Sequence, residues 1–149
     1  MMLIRKFNSS DKNALLEVLR SNTPKFFALS EEKDFNDYLE REIEDYFVVE
    51  EDGKILACGG INYFPKEEKA RISWDMVDPK SQGKGIGGNL MEHRIQLLKN
   101  NADINFIEVR TSQHTSLFYE KMGFELVLVV KDYWAEGFDL YEMIKLNKN

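Results

Sequence analysis

The chain has 149 residues, a formal net charge of −6, 43% hydrophobic and 31% charged residues, which fits one globular domain over residues 1–149. The acidic balance argues against a nucleic-acid partner, because such domains usually carry a basic patch. The single cysteine, Cys58, and the two histidines show no metal-ligand spacing, so we expect no metal. No stretch resembles a signal peptide or a membrane span, so we expect a cytoplasmic protein without a membrane partner.

The first half of the chain predicts a strand, two amphipathic helices and a hairpin. Residues 9–11 and Ser30 are candidate N-caps for the two helices, and the first helix ends before Pro24. Asp52-Gly53 is typical of a tight turn between two strands. The predicted elements are a strand over 3–7, a helix carrying Leu15, Val18 and Leu19, a helix carrying Phe35, Leu39 and Ile43, and strands over 46–50 and 54–64.

The second half predicts four further strands and two helices, with no repeat or linker. Apolar residues alternate with polar ones in residues 70–77, as in a strand with one buried face. Gly123 is a natural stop for the second of these helices. The predicted elements are a strand over 70–77, a helix carrying Leu90, Met91, Ile95 and Leu98, a strand over 104–109, a helix over 115–122, and strands over 126–131 and 138–146.

Residues 82–88, Gln-Gly-Lys-Gly-Ile-Gly-Gly, lie between a predicted strand and a predicted helix. Glycines let the backbone approach a ligand closely, and the N–H groups that open a helix favour an anion. The segment is therefore either a phosphate-binding loop or a plain connecting turn. A nucleotide hydrolase loop would end in Lys-Ser/Thr, which is absent here. A dinucleotide-binding G-x-G-x-x-G pattern fits residues 83–88, but they lie in mid-chain after several strands.

The pattern Gln82-x-x-Gly85-x-Gly87 resembles the Q/R-x-x-G-x-G/A pyrophosphate loop of the GNAT family of N-acetyltransferases, and residues 77–87 resemble that family over their full length. The resemblance implies an α/β (α+β) fold with a mixed, mostly antiparallel sheet of about seven strands and about four helices. The sheet would splay between its fourth and fifth strands to admit acetyl-CoA. The predicted order of elements agrees with that fold along essentially the whole chain.

The resemblance also implies which residues hold acetyl-CoA. The pantetheine arm would pair with the backbone near Met76 and Val77, and main-chain donors would hold the pyrophosphate. The family usually has Asn followed by Ala just before the short helix, whereas this chain has Ser-Gln-His-Thr over 112–115. We expect Ser112 to take that contact, although a neighbour is an alternative. The implied pyrophosphate residues are Gln82, Gly83, Lys84, Gly85, Ile86, Gly87 and Gly88.

Residues 117–124, Leu-Phe-Tyr-Glu-Lys-Met-Gly-Phe, resemble the family's L-Y-E-K-x-G-F segment. There the tyrosine hydroxyl lies beside the thioester sulfur, so Tyr119 is the expected general acid and a cofactor contact. Glu108 interrupts an apolar strand, where burial would raise the pKa of its carboxyl group and suit it to be the base. Residues 107–110 resemble the L-E-V-R segment of members that acetylate protein N-termini. The alternatives are a structural ion pair of Glu108 with Arg110 or Arg71, Asp75 as the base, or a water chain.

The predicted function is therefore acetyl-CoA-dependent transfer of an acetyl group to a primary amine, directly within a ternary complex and without a metal. Cys58 lies on a different strand from the motifs, so no covalent acetyl-enzyme is expected. The acceptor would be a small molecule or a protein N-terminus. A non-catalytic CoA-binding sensor or scaffold of the same fold is the main alternative, and a nucleotide-binding domain is a weaker one. Whether the protein is a homodimer stays open at this point.

Overall fold

The computed structural model describes residues 2–147. In this range it contains seven strands and four α-helices, joined by short loops and 3-10 turns. The strands are β1 (Met2–Lys6), β2 (Asp45–Glu51), β3 (Lys54–Phe64), β4 (Lys69–Val77), β5 (Phe106–Thr111), β6 (Glu125–Ala135) and β7 (Phe138–Leu146). The helices are α1 (Lys12–Ser21), α2 (Glu31–Arg41), α3 (Ile86–Lys99) and α4 (Ser116–Lys121).

The strands form one sheet in the order β1-β2-β3-β4-β5-β7-β6. Every neighbouring pair is antiparallel except β4 and β5, which run parallel. The two parallel strands pair only from Lys69↔Phe106 to Ile72↔Val109, although β4 continues to Val77 and β5 to Thr111. The predicted mixed sheet, with its splay between the fourth and fifth strands, is confirmed.

The helices cover the two faces of the sheet with two separate apolar cores. One core joins α1 and α2 to the sheet through residues such as Leu15 and Phe35. The other joins α3 and α4 to the opposite face through residues such as Leu90 and Tyr119. Successive side chains of β2 point to opposite faces of the sheet and contribute to both cores. Val48 packs in the first core and Val49 in the second, as expected for a strand that is buried on both faces.

A β-bulge in β4 reverses the direction of its side chains. At the bulge the pairing of β3 with β4 shifts by one residue, from Cys58↔Met76 to Gly60↔Ser73, and Trp74 has a φ of +50°. Ile72 packs in the α3 core, whereas both Trp74 and Met76 pack in the α1 core. The predicted single apolar face over 70–77 is therefore wrong beyond Ile72, because one extra residue exchanges the two faces of a strand.

The element boundaries follow the sequence most closely where a turn residue marks them. The predicted bounds of β3 and β7 are those observed, whereas β6 extends to Ala135, beyond the predicted 126–131. The cap before α1 differs: Asn8 caps a 3-10 turn over Ser9–Asp11, and Asp11 makes no side-chain cap bond to α1. Ser30 precedes α2 as predicted but also makes no side-chain cap bond.

Strand β6 forms one edge of the sheet and exposes consecutive apolar side chains over residues 126–130. Register shifts after Leu126 and after Val130 interrupt its pairing with β7, and such bulges commonly protect an edge from pairing with another chain. A homodimer stays a prediction, because a bulged edge neither requires nor excludes pairing with a second copy of the chain. Within residues 2–147, no helix combines the length and the apolar character needed to cross a membrane.

Candidate active site

The splay between β4 and β5 opens a cleft that consists of two adjoining cavities. The cavity beside residues 82–88, here the loop cavity, has a volume of about 410 Å³. The cavity between α2, β4 and β5, here the strand cavity, has a volume of about 280 Å³. Five residues line both cavities and therefore mark their junction: Phe26, Phe27, Asp75, Thr115 and Tyr119.

The glycine loop presents the N-terminus of α3 to the loop cavity. Gly85 is the N-cap of α3, and both Gly83 and Gly85 have positive φ, +80° and +79°, which an L side chain tolerates poorly. A Cβ at either position would meet no atom within 4 Å, so backbone conformation rather than crowding requires glycine there. The first N–H groups of a helix have no intrahelical partner, so this end of α3 can bind an anion.

Of the seven predicted loop residues, six line the loop cavity, and Lys84 is the one that does not. The Gln82 side chain donates to Asn22 Oδ1 at 3.2 Å and to the Val77 carbonyl at 3.3 Å. It thereby ties the loop to the end of β4 and to the residue that follows α1. Asn22, which the sequence analysis did not single out, also donates to the Val77 carbonyl at 3.1 Å.

The predicted cofactor residues outside the loop divide between the two cavities. Met76 and Val77 line the loop cavity, as the predicted path of the pantetheine arm along β4 requires. Ser112 lines the strand cavity instead, and its hydroxyl accepts from the His114 backbone N–H at 3.2 Å. His114 and Thr115 follow Ser112 in the chain and line the loop cavity. The only sequence signal for His114 and Thr115 was their position just before the motif of residues 117–124.

Tyr119 lies on α4, with its ring buried and its hydroxyl at the junction. The hydroxyl donates to Asp75 Oδ2 at 2.8 Å. Edge-on contacts with Phe118 and Phe124, at centroid distances of 5.1 and 5.8 Å, hold the ring. Burial, and next the negative charge of Asp75, raise the pKa of Tyr119 well above its ordinary value. The hydroxyl therefore keeps its proton at neutral pH and can act as a donor.

Asp75 is held on its other side by a buried arginine that the sequence analysis missed. Arg94 on α3 is 1% exposed, and its Nη1 lies 2.5 Å from Asp75 Oδ1 and 3.1 Å from the Gly60 carbonyl. Desolvation is the largest single cause and lowers the pKa of Arg94, but the charge and the hydrogen bond of Asp75, with smaller contributions from two tyrosines, together outweigh it. The net shift is therefore upward and Arg94 stays charged. A Cβ at Gly59 would lie 2.2 Å from Asp75 Oδ1, so this pair requires glycine there.

Glu108 is buried in an ion pair and lines neither cavity. Arg71 Nε lies 2.7 Å from one carboxylate oxygen and Lys69 Nζ 3.1 Å from the other. Desolvation alone would raise the pKa of Glu108, but the hydrogen bonds and charges of Arg71 and Lys69 outweigh it and leave the pKa below its ordinary value. The expected upward shift is therefore wrong, and the ion pair with Arg71 is confirmed. A role for Glu108 as the base stays a prediction.

Replacing Glu108 by Gln is expected to lower the free energy of unfolding at neutral pH by about 1–2 kcal/mol, because charged hydrogen bonds are lost. A pKa that is depressed in the folded state stabilises the fold above the ordinary value of 4.5, and this stabilisation is lost as the pH falls through the folded pKa. The difference between wild type and variant should therefore shrink below pH 4.5 in urea titrations. A difference that stays constant with pH would contradict the ion pair. The control is Glu136→Gln, at an exposed position in the β6–β7 turn.

The chemistry of the cleft depends in part on whether Cys58 can act as a nucleophile and on whether the described residues can hold a metal ion. Cys58 lines the loop cavity with no exposed surface, and burial raises the pKa of its thiol to about 12. A protonated, buried thiol is a poor nucleophile. Among the residues that the structure describes, no group of three or more His, Cys, Asp or Glu side chains could hold a metal ion.

Known proteins are similar to this chain in sequence and in fold. The profile of the acetyltransferase (GNAT) family matches residues 12–124. An amino-acid acetyltransferase of Actinobacillus pleuropneumoniae serotype 5b is 28% identical over 123 residues, which is 83% of this chain and 27% of that protein. The chain thus spans about a quarter of the length of this relative.

Two solved structures show the same fold. The ribosomal-protein-S18-alanine N-acetyltransferase from Escherichia coli superposes with a TM-score of 0.82 at 21% identity, covering 100% of this chain and 96% of that one. The N-acetylglutamate synthase from Neisseria gonorrhoeae, complexed with coenzyme A and N-acetyl-glutamate, has a TM-score of 0.77 at 20% identity, covering 100% of this chain and 36% of that one.

The splayed sheet, the N-terminus of α3 that faces the loop cavity, and the buried tyrosine at the junction are the features that the family resemblance implied. The chain belongs to the acetyltransferase (GNAT) family. The family resemblance carried by residues 82–88 and 117–124 is thereby confirmed, since both segments lie within the matched range.

Proposed function

We propose that the protein transfers an acetyl group from acetyl-CoA to a primary amine, directly within a ternary complex. The observation that carries this proposal is the meeting of two cavities at Tyr119 and Asp75. Family membership and a neighbour complexed with coenzyme A support the donor. The amino-acid acetyltransferase name of one relative and the alanine acetyltransferase name of one neighbour support a nitrogen acceptor.

Acetyl-CoA would occupy the loop cavity. Its pyrophosphate would bind the N-terminal N–H groups of α3 and the backbone of residues 82–88, because that end of the helix carries unpaired donors and a positive dipole. The pantetheine arm would run along Met76 and Val77, which lie on the part of β4 that has left β5. This path would bring the thioester to the junction beside Tyr119.

The amine would enter from the strand cavity and attack the thioester carbon. Forming the C–N bond and breaking the C–S bond leaves one proton to move from nitrogen to sulfur. In this proposal Asp75 accepts the proton from nitrogen, Tyr119 gives its proton to the departing thiolate, and Asp75 returns a proton to Tyr119 through their 2.8 Å contact. Asp75 suits this role better than Glu108, because Asp75 lines both cavities and Glu108 lines neither.

Coenzyme A or acetyl-CoA is expected to raise the melting temperature of the protein, whereas ATP and NAD are not, because only a ligand that binds the folded state stabilises it. Gly85→Val should abolish the CoA response, since a bulky side chain would block the approach of the pyrophosphate to the backbone. Gly53→Val is the matched control: its φ is also +79° and it also has no atom within 4 Å, but it lies in the β2–β3 turn.

The control variant should lose stability through the same backbone strain yet keep its full response to CoA. An unchanged CoA response in Gly85→Val would mean that the loop is only a connector. If CoA binds tightly but no amine is ever acetylated, the non-catalytic CoA-binding alternative replaces the enzyme proposal.

A further inference from the structure

We propose that the acceptor amine also carries a carboxylate group, and that Arg71 and Arg110 bind this carboxylate in the strand cavity. The inference rests on the proposed function and names the chemical class of its acceptor. It starts from the two guanidinium groups among the residues that line this cavity. Guanidinium groups match carboxylates with a planar pair of N–H donors.

Arg71 uses only part of its hydrogen-bonding capacity. Its Nε donates to Glu108 at 2.7 Å, and its guanidinium carbon lies 4.7 Å from the centroid of the Phe64 ring. Within residues 2–147 neither terminal nitrogen makes a hydrogen bond, while the side chain is 28% exposed. The stacked and anchored guanidinium thus keeps a fixed orientation with two donor groups available.

Arg110 is held in a similar way on the neighbouring strand. Its Nη2 donates to the Tyr133 hydroxyl at 2.8 Å, and its guanidinium carbon lies 5.1 Å from the Tyr133 ring and 5.7 Å from the Trp134 ring. Its Nε is 3.8 Å from Glu142, which is too long for a hydrogen bond. Across the described part of the chain, Nη1 of Arg110 has no hydrogen-bond partner.

The sheet register places the two arginines at the start of the splay. Arg71 is paired with Glu108, and Arg110 follows two residues later on β5, so Glu108 and Arg110 share a face. Arg110 lies one position beyond the last pair, Ile72↔Val109, where the strands separate. Because Asp75 lines the same cavity as both arginines, a carboxylate held by the arginines would leave the amine of the same molecule to point towards Asp75.

Acidic residues also line this cavity and would favour the ammonium group of the acceptor, whereas the two arginines disfavour a purely cationic molecule. Burial is the main cause that raises the pKa of Glu31, and its carboxylate accepts from the Ala28 N–H at 2.7 Å. Glu42 lies at the C-terminal end of α2 and is exposed. A polyamine would meet two fixed guanidinium groups, and the ring faces of Phe64 and Trp134 already hold cations. A molecule with one ammonium and a carboxylate meets partners for both.

The test is an acetyl-CoA consumption assay with matched acceptor pairs. The rate with each common amino acid is compared with the rate with its carboxamide, and the rate with each acidic peptide is compared with that of the same peptide after its carboxylates are amidated. Spermidine represents the cationic amines. Carboxylate acceptors should be preferred, and the amino-acid and peptide arms distinguish the two sources of the carboxylate. Arg110→Gln should raise KM for the preferred acceptor about tenfold or more, as expected for a lost charged hydrogen bond, with a much smaller change in kcat.

Arg110→Gln should raise KM for the matching amide far less than KM for the carboxylate, and Arg41→Gln, an exposed arginine outside both cavities, should change neither KM. Preference for amides or for spermidine would overturn the carboxylate proposal while leaving acetyl transfer intact. If no amine is acetylated, the proposed function fails. Calorimetric titration of the same amino acids into the CoA-bound protein then decides the carboxylate site, which falls if none binds or if Arg110→Gln binds equally well.

Discussion

Replacing Tyr119 by Phe is expected to lower the turnover number by about a hundredfold, the lower end of what a positioned acid or base contributes. The thiolate of CoA is a tolerable leaving group, which is why the lower end applies. The ring contacts with Phe118 and Phe124 would remain, since only the hydroxyl that donates to Asp75 is removed. The Kd for acetyl-CoA should stay within a few-fold, because the proposed pyrophosphate contacts lie at residues 82–88. Steady-state kinetics and equilibrium binding measure the two quantities separately.

The matched control for this variant is Tyr141→Phe, a tyrosine on β7 that lines neither cavity. It should leave both turnover and affinity unchanged. If Tyr119→Phe kept full turnover on an established acceptor, Tyr119 would not be the general acid. If it lost acetyl-CoA affinity instead, its role would be that of a cofactor contact alone.

Replacing Arg94 by Met is expected to lower the free energy of unfolding by about 3–5 kcal/mol, as measured for buried ion pairs that lose one partner. Arg94 is nearly inaccessible, and the Asp75 side chain is only 15% exposed, so the variant leaves a carboxylate poorly solvated and without its cation. Urea unfolding with a two-state fit gives the free energy directly. The loss should far exceed that of a surface arginine such as Arg41→Met.

The double variant Asp75→Asn with Arg94→Met should recover part of this stability, because it no longer buries an uncompensated charge. If the loss of stability in the double variant equalled the sum of the losses in the two single variants, the two side chains would not be coupled. The double variant should still be almost inactive under the proposed mechanism, since it keeps the Tyr119 hydroxyl but removes the carboxylate partner. Recovery of stability without recovery of turnover thus separates the structural role of the pair from its proposed chemical role.

Much of the fold could be predicted from the sequence where the signal was local. The glycines of the loop and the Asp52-Gly53 turn depend on short-range conformation. The strand that follows this turn, β3, has the predicted bounds, as does β7. Gly85 has the positive φ that a glycine at a helix start suggests. The family motifs predicted the splay, which is observed between the parallel strands β4 and β5.

The parts of the site that escaped prediction depend on long-range register. Arg94 lies on a helix where a charged residue usually faces water, and only the β4 bulge turns Asp75 towards it. Without that bulge, Asp75 would face α1 and α2. The pairing of Glu108 with Arg71 likewise depends on the parallel register of β4 and β5, which no local pattern determines. The sequence predicted Arg71 only as one of two alternative partners, the other being Arg110.

The most direct test of the proposed function is mass spectrometry of single reactions that contain the protein, acetyl-CoA and a panel of primary amines. The proposal predicts that one amine gains one acetyl group as free CoA accumulates in equal amount, that the protein itself gains no mass, and that Tyr119→Phe slows both products together. A stable acetylated protein that forms without any amine and then passes its acetyl group on would contradict direct transfer. Release of CoA to water alone, with every amine unmodified, would contradict acetyl transfer to an amine.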